Sequence, residues 1–182
     1  PTEIRYSCTC SKGTLWKKPS KNDLENIGKI QKQKIHYWYP NNELIWNTRV
    51  NVHRGEKISD LFTKRNLLAL SMIYYEIEKL QDKNIKEIMK FTFTSSLGQA
   101  SKMVFVIRKR GRQKGEVQES NPEVGSWATR GYWIPPEFFE INAWNCFEER
   151  YKKVLRGKEE TNKELVTLES KDFVELKGNK NF

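Results

Sequence analysis

Thr63-Lys64-Arg65-Asn66-Leu67-Leu68-Ala69-Leu70-Ser71-Met72-Ile73-Tyr74-Tyr75-Glu76-Ile77-Glu78-Lys79-Leu80 is the stretch that decides the fold. Leu67, Leu70, Tyr74 and Ile77 recur at helical spacing, which predicts a helix from Lys64 to about Leu80. Thr63 stands where a hydroxyl can accept from a backbone N–H of the first turn, so it is the expected cap. Leu68, Ile73 and Tyr75 fall off the stripe, and the helix is therefore expected to be covered on more than one side. After Asp82-Lys83-Asn84 a second helix is expected from Ile85 to about Met103, carrying Ile88, Met89, Phe93, Leu97 and Ala100. So short a connection implies that the two pack antiparallel.

Working outward, Tyr6-Ser7-Cys8-Thr9-Cys10 and Gly13-Thr14-Leu15-Trp16 flank a turn-forming Ser11-Lys12-Gly13, and the pattern reads as a hairpin. Ser20 and Asp23 form a capping-box signal for a short helix, Leu24 to Ile30. Two runs rich in β-formers follow, Ile35-His36-Tyr37-Trp38-Tyr39 and Thr48-Arg49-Val50-Asn51-Val52, with Pro40-Asn41-Asn42 as a turn after the first. Residues 108–131 have loop composition. A third helix is expected from about Pro136 to Leu155, with Trp144, Phe147, Tyr151 and Val154 on one stripe and Gly157 ending it. Leu165-Val166-Thr167-Leu168 and Phe173-Val174-Glu175-Leu176 read as short strands.

The expected class is α+β: three main helices packed together, with small β hairpin or strand elements at both ends. Three parts are expected. Residues 1–58 form a small β-rich part with a short helix, residues 59–160 a helical core with the basic loop, and residues 161–182 strands leading toward a catalytic half that is missing. A chain opening on Pro1 reads as cut from something longer.

Composition narrows the function. The 182 residues include 33 Lys and Arg against 23 Asp and Glu, a net charge of +10 that attracts polyanions. Hydrophobic residues make up only 37%, yet 6 Trp, 7 Tyr and 9 Phe speak for a real core rather than disorder. No apolar run approaches the roughly 20 residues that cross a bilayer. Three cysteines, Cys8, Cys10 and Cys146, suit a reducing cytoplasm better than a disulfide scaffold.

Catalytic patterns are missing. His36 and His53 sit in no metal or triad spacing, and neither a glycine-rich nucleotide loop nor a nucleophile elbow occurs. Glu76-x-Glu78 and Glu148-Glu149 read as solvated helix faces. Cys8-x-Cys10 supplies two of the four ligands that structural zinc requires, so the pair reads as unpaired thiols rather than a complete site. Cys146, beside Phe147, reads as core. No catalytic residue and no metal ligand are therefore assigned.

Arg108-Lys109-Arg110-Gly111-Arg112-Gln113-Lys114-Gly115 places five basic residues within seven positions and no acid. Such a segment can neutralise phosphates, and its glycines let the backbone approach a duplex. Trp127, Arg130 and their neighbours in Ser126-Trp127-Ala128-Thr129-Arg130-Gly131-Tyr132-Trp133 add a stacking or wedging element. The expected DNA contacts are Lys102, Arg108, Lys109, Arg110, Arg112, Lys114, Trp127 and Arg130.

Several motifs together resemble the middle region of zinc-ribbon-containing adenine-specific DNA methyltransferases. They are Asp60-Leu61-Phe62-Thr63-Lys64-Arg65-Asn66, Phe91-Thr92-Phe93-Thr94-Ser95-Ser96-Leu97, Gly131-Tyr132-Trp133-Ile134-Pro135-Pro136, Asn145-x-Phe147-Glu148-x-Arg150 and Arg156-Gly157-Lys158-Glu159. In that family the cofactor motif lies upstream and an Asp-Pro-Pro-Tyr motif downstream, and this chain contains neither. The resemblance implies a target-recognition or insert region of a modification or restriction system. Its parent would use S-adenosylmethionine, with zinc left open and Cys8-x-Cys10 as the remnant of a knuckle. The expected partners are DNA and the parent's catalytic portion, in the cytoplasm. Two rivals stand beside this reading: an RNA-binding module, and a structural insert that docks through exposed apolar surface.

Overall fold

The computed structural model describes residues 1–49, 51–108, 110–113, 116–119, 122–129 and 131–171, with backbone alone at 110–113, 116–119, 129 and 167–171. In chain order the elements are β1 (Ile4–Ser7), β2 (Thr14–Lys17), α1 (Lys21–Lys32), α2 (Lys64–Glu78), α3 (Lys83–Leu97), β3 (Val106–Ile107), β4 (Arg110–Gln113), β5 (Glu116–Glu119), β6 (Glu123–Val124) and α4 (Ala143–Lys171). Single 3-10 turns occupy Ile58–Leu61 and Trp127–Thr129. The class is α+β, with three antiparallel two-stranded sheets, β1-β2, β3-β6 and β4-β5, among the described residues.

The helical starts follow local chemistry. The Ser20 hydroxyl accepts from the Asp23 N–H while the Asp23 carboxylate accepts from the Ser20 N–H at 2.9 Å, closing the capping box of α1. That backbone bond, with the Ser20 hydroxyl and Lys17 ammonium, holds the Asp23 carboxyl down at about 2. Thr63 caps α2 by accepting from the Asn66 N–H, and Asp82 caps α3 by accepting from the Ile85 N–H.

Helix α2 is the hub, packing against α1, α3 and α4. Leu70 at its middle meets Ala100, Ala143 and Cys146, with Phe62, Ala69, Phe93, Leu97 and Ile141 around them. Farther along, Tyr74 contacts Phe93 and the Glu78 carboxylate pairs with Lys90. The middle of α2 thus faces the end of α3 and late α2 faces the middle of α3, the antiparallel arrangement that the short connection implies. On α3, Thr92 and Ser96 are fully buried. Their hydroxyls donate back to the carbonyls of Ile88 and Phe93, so neither polar group is stranded in the core. Cys146 takes the expected core place, and burial raises its thiol pKa.

Four expectations are corrected. The runs at 35–39 and 48–52 are not strands within the described residues, Val50 lying outside them. The Tyr37 ring packs on Tyr75 and the Trp38 ring on Tyr74, so the first run covers α2 instead of finding a ladder partner. Helix α3 stops at Leu97, short of Met103, where the chain turns against Trp127. The basic stretch after 108 is not open loop: Arg110–Gln113 pairs with Glu116–Glu119, Arg110 opposite Glu119 and Gln113 opposite Glu116.

The fourth correction concerns the C-terminal region. The third helix begins at Ala143 rather than near Pro136, Gly157 does not end it, and Leu165-Val166-Thr167-Leu168 is not a strand, since α4 runs unbroken to Lys171. One glycine costs about 1 kcal/mol in a helix interior. Around it, Glu148 with Lys152 and Arg156 with Glu160 make i,i+4 pairs, and the Thr161 hydroxyl donates to the Gly157 carbonyl. The Phe173-Val174-Glu175-Leu176 segment lies outside the described residues. A Cβ on Gly157 would meet open space. Gly157→Ala is therefore expected to stabilise the fold by about 0.5–1 kcal/mol, read as a higher urea midpoint with unchanged m-value. A lowered midpoint would contradict it.

Candidate nucleic-acid interface

Residues 44–55 contain no acid and include Ile45, Trp46, Arg49 and Arg54. Their loop is closed at its base by the Glu43–Lys57 bridge, the Leu44 N–H donating to the Glu56 carbonyl at 2.8 Å, and the Ile58 N–H donating to the Asn42 carbonyl at 3.0 Å. Inside it, the Arg49 N–H donates to the Asn47 side chain at 2.8 Å and the His53 N–H to the Glu56 carboxylate at 2.7 Å. Gly55 takes a positive φ of 83°, a conformation open to glycine that lets the chain double back. Buried Val52 anchors the loop to the body. Across the loop, the Arg54 guanidinium lies 4.8 Å from the centre of the Trp46 ring, a cation–π pair that fixes both side chains.

A second acid-free run, residues 124–136, passes beside it. The Asn51 side-chain amide donates to the Gly131 carbonyl at 3.4 Å, joining residues 80 positions apart. Next along, Tyr132 holds a left-handed φ of 55° and is 48% exposed. A non-glycine residue in that region is strained and marks a candidate functional position. Trp133 turns inward, its ring 5.9 Å from Phe105.

The structure distributes the expected contacts unevenly. Arg108 forms an ion pair with Glu137 at 2.9 Å. Half-buried Lys102 donates its backbone N–H to the Leu61 carbonyl. Trp127 packs against Gly98, where a Cβ would lie 2.5 Å from the indole. Arg110 and Arg112 belong to β4. Lys109, Lys114 and Arg130 lie outside the described residues. Trp46, Arg49, Asn51 and Arg54 went unnoticed in the sequence, although their stretch shares the acid-free, arginine-plus-aromatic composition of 126–133. Their spacing matched a strand, and that pattern masked the signal.

A cavity of about 740 Å³ opens between the β1-β2 hairpin, α1 and residues 136–140. Two of its cations are answered by acids of its own wall, Arg65 gripping Glu140 through Nε and Nη2 and Arg108 pairing with Glu137, while Lys64 donates to the Gln31 carbonyl and Arg5 lies over the Trp16 ring. Because the carboxylates of Glu3, Asp23, Glu137 and Glu140 also line it, the cavity is a poorer phosphate site than the two acid-free loops.

Cys8 and Cys10 are joined by a disulfide, correcting the expectation of unpaired thiols. The tight turn, closed by the Ser11 N–H donating to the Cys8 carbonyl, brings their Cα atoms to 5.2 Å. Among the described residues, no three His, Cys, Asp or Glu side chains gather as a metal site. No described helix is long and apolar enough to cross a membrane. No family model, curated protein or solved structure matches the chain.

Proposed function

We propose that this chain is a DNA-binding target-recognition or insert region of an adenine-type DNA methyltransferase from a cytoplasmic modification or restriction system. The supporting observation is the pair of acid-free loops joined by Asn51 and Gly131, which carry Trp46, Arg49, Arg54 and Tyr132 on a chain of charge +10. Arginines supply phosphate contacts and exposed rings supply stacking, the combination a nucleic acid requires. The methyltransferase affiliation rests on the motif resemblance. On that reading S-adenosylmethionine is bound, and the methyl group transferred, by the parent's catalytic portion.

Duplex affinity should fall steeply with salt, by a log–log slope of about 0.9 per phosphate neutralised. Arg49→Ala with Arg54→Ala should flatten that slope by up to about 2, and alanine at 108, 109, 110, 112 and 114 should flatten it further. Fluorescence anisotropy across a salt series measures both, and unchanged slopes in the two variants would overturn the proposal. An RNA duplex of the same sequence as competitor separates the RNA-binding rival. The docking-insert rival draws on exposed apolar side chains along α3 and α4, among them Phe91 at 66% and Trp144. It expects DNA affinity to be indifferent to all these arginines.

A further inference from the structure

Ile45 is 84% exposed, more than any other large apolar side chain among the described residues. Scattered surface apolar groups need no explanation. Ile45 differs because of the frame holding it. It follows Leu44, whose N–H is bonded to the Glu56 carbonyl, and it precedes Trp46, whose ring is clamped by Arg54. The chain just before Ile45 is held by that backbone bond and the ring just after it lies against Arg54, so the side chain is presented to solvent beside two held neighbours. Residues 44–55 carry Arg49 and Arg54 and no acid of their own, and the Glu56 carboxylate at the base accepts from the His53 N–H.

We infer that Ile45 is an intercalating wedge that enters between two stacked base pairs of a bound duplex and kinks it. Proteins that kink DNA insert a compact apolar side chain at a base step while arginines hold the flanking backbone. Ile45 meets the first requirement, and Arg49 with the Arg54–Trp46 pair meets the second. Base-pair faces are the chemistry that fits: flat, apolar and normally inaccessible, they accept an aliphatic group only when the polyanionic backbone is held beside it. Rigidity matters because a wedge that folds away cannot keep a step open. This inference rests on the DNA-binding reading above.

The test is bending of an end-labelled duplex of about 25 base pairs, read by energy transfer between the labels, with affinity measured in parallel. The whole chain should shorten the end-to-end distance at saturation. It should also bind about tenfold more tightly to a duplex with a mismatch or nick at the site, where part of the unstacking cost is already met. Ile45→Ala should abolish both the bend and the mismatch advantage while keeping the salt slope, and Ile45→Leu should retain them. Arg49→Ala should do the reverse, lowering the slope but still bending the duplex at saturation. A straight duplex with the unaltered chain, or an Ile45→Ala variant that bends it fully, overturns the wedge while leaving DNA binding intact. Failure of the unaltered chain to bind duplex at all overturns the wedge and the DNA-binding reading together.

Discussion

Asn66→Asp is expected to destabilise the fold by about 4 kcal/mol at pH 7, and Asn66→Ala by about 3 kcal/mol. Asn66 lies on α2 with only 5% of its surface exposed. Its amide nitrogen donates to the Ala100 carbonyl at 2.8 Å and to the Ile141 carbonyl at 2.7 Å. One side chain thus ties α2 to the turn after α3 and to the segment leading into α4. Alanine removes both donors and leaves two inward-facing carbonyls short of a partner. Aspartate does worse, because a carboxylate places negative charge where two carbonyl oxygens already point. Its proton, when present, supplies one donor, so the folded state favours the protonated form and raises the carboxyl pKa above its unfolded value. Stability of the aspartate variant should therefore rise as pH falls from 7 through that raised pKa, until general acid unfolding intervenes. Urea unfolding at pH 7 and pH 5 measures this. An aspartate variant within 1 kcal/mol of the parent at pH 7, or one that weakens on mild acidification, would show that the bridge contributes little.

Signals confined to one turn of chain were legible in the sequence. Ser20 with Asp23, Thr63 before Lys64 and the Ser11-Lys12-Gly13 turn each specify their element through residues at most three apart, and each element formed. The misreadings share a different cause. Tyr37 and Trp38 look like strand residues, but their rings found Tyr75 and Tyr74 across sequence distances that no local window contains. Just past the end of α3, Gly98 lies against Trp127, a contact that no local window contains. Gly157 marks a helix end by propensity alone, whereas the ion pairs around it carry α4 onward. The candidate interface was half legible for the same reason. Residues 126–133 advertise aromatics and an arginine, but the Asn51–Gly131 contact that joins them to 44–55 spans 80 positions. A composition shared by two separated segments hints that they meet, and only the fold brings them together.

The same dependence on distant packing makes Gly125→Ala the second substitution with a large expected effect. Gly125 is buried at the point where the chain returns from the β4-β5 hairpin region. Its N–H donates to the Phe105 carbonyl at 2.8 Å, continuing the pairing of Val106 with Val124. A Cβ there would lie 2.4 to 2.6 Å from three atoms of the Phe105 ring. That ring contacts Trp133, and the Phe105 backbone bridges to Phe138, so the ring cannot swing away without disturbing its neighbours. Overpacking of this kind costs about 1–3 kcal/mol, and the value should fall near the top of that range because the blocking atoms belong to a held ring. Tryptophan fluorescence should change as well, since Trp133 loses a face of its surroundings. A double-mutant cycle separates ring collision from any backbone effect of alanine. Phe105→Leu alone should destabilise, yet Gly125→Ala added to it should cost less than about 1 kcal/mol, because a smaller side chain leaves room for the methyl group. If alanine at 125 is as damaging beside leucine as beside phenylalanine, the backbone rather than the ring sets the requirement for glycine. The return strand of the hairpin would then be held by its own conformation, and collision with the Phe105 ring would be excluded as the cause.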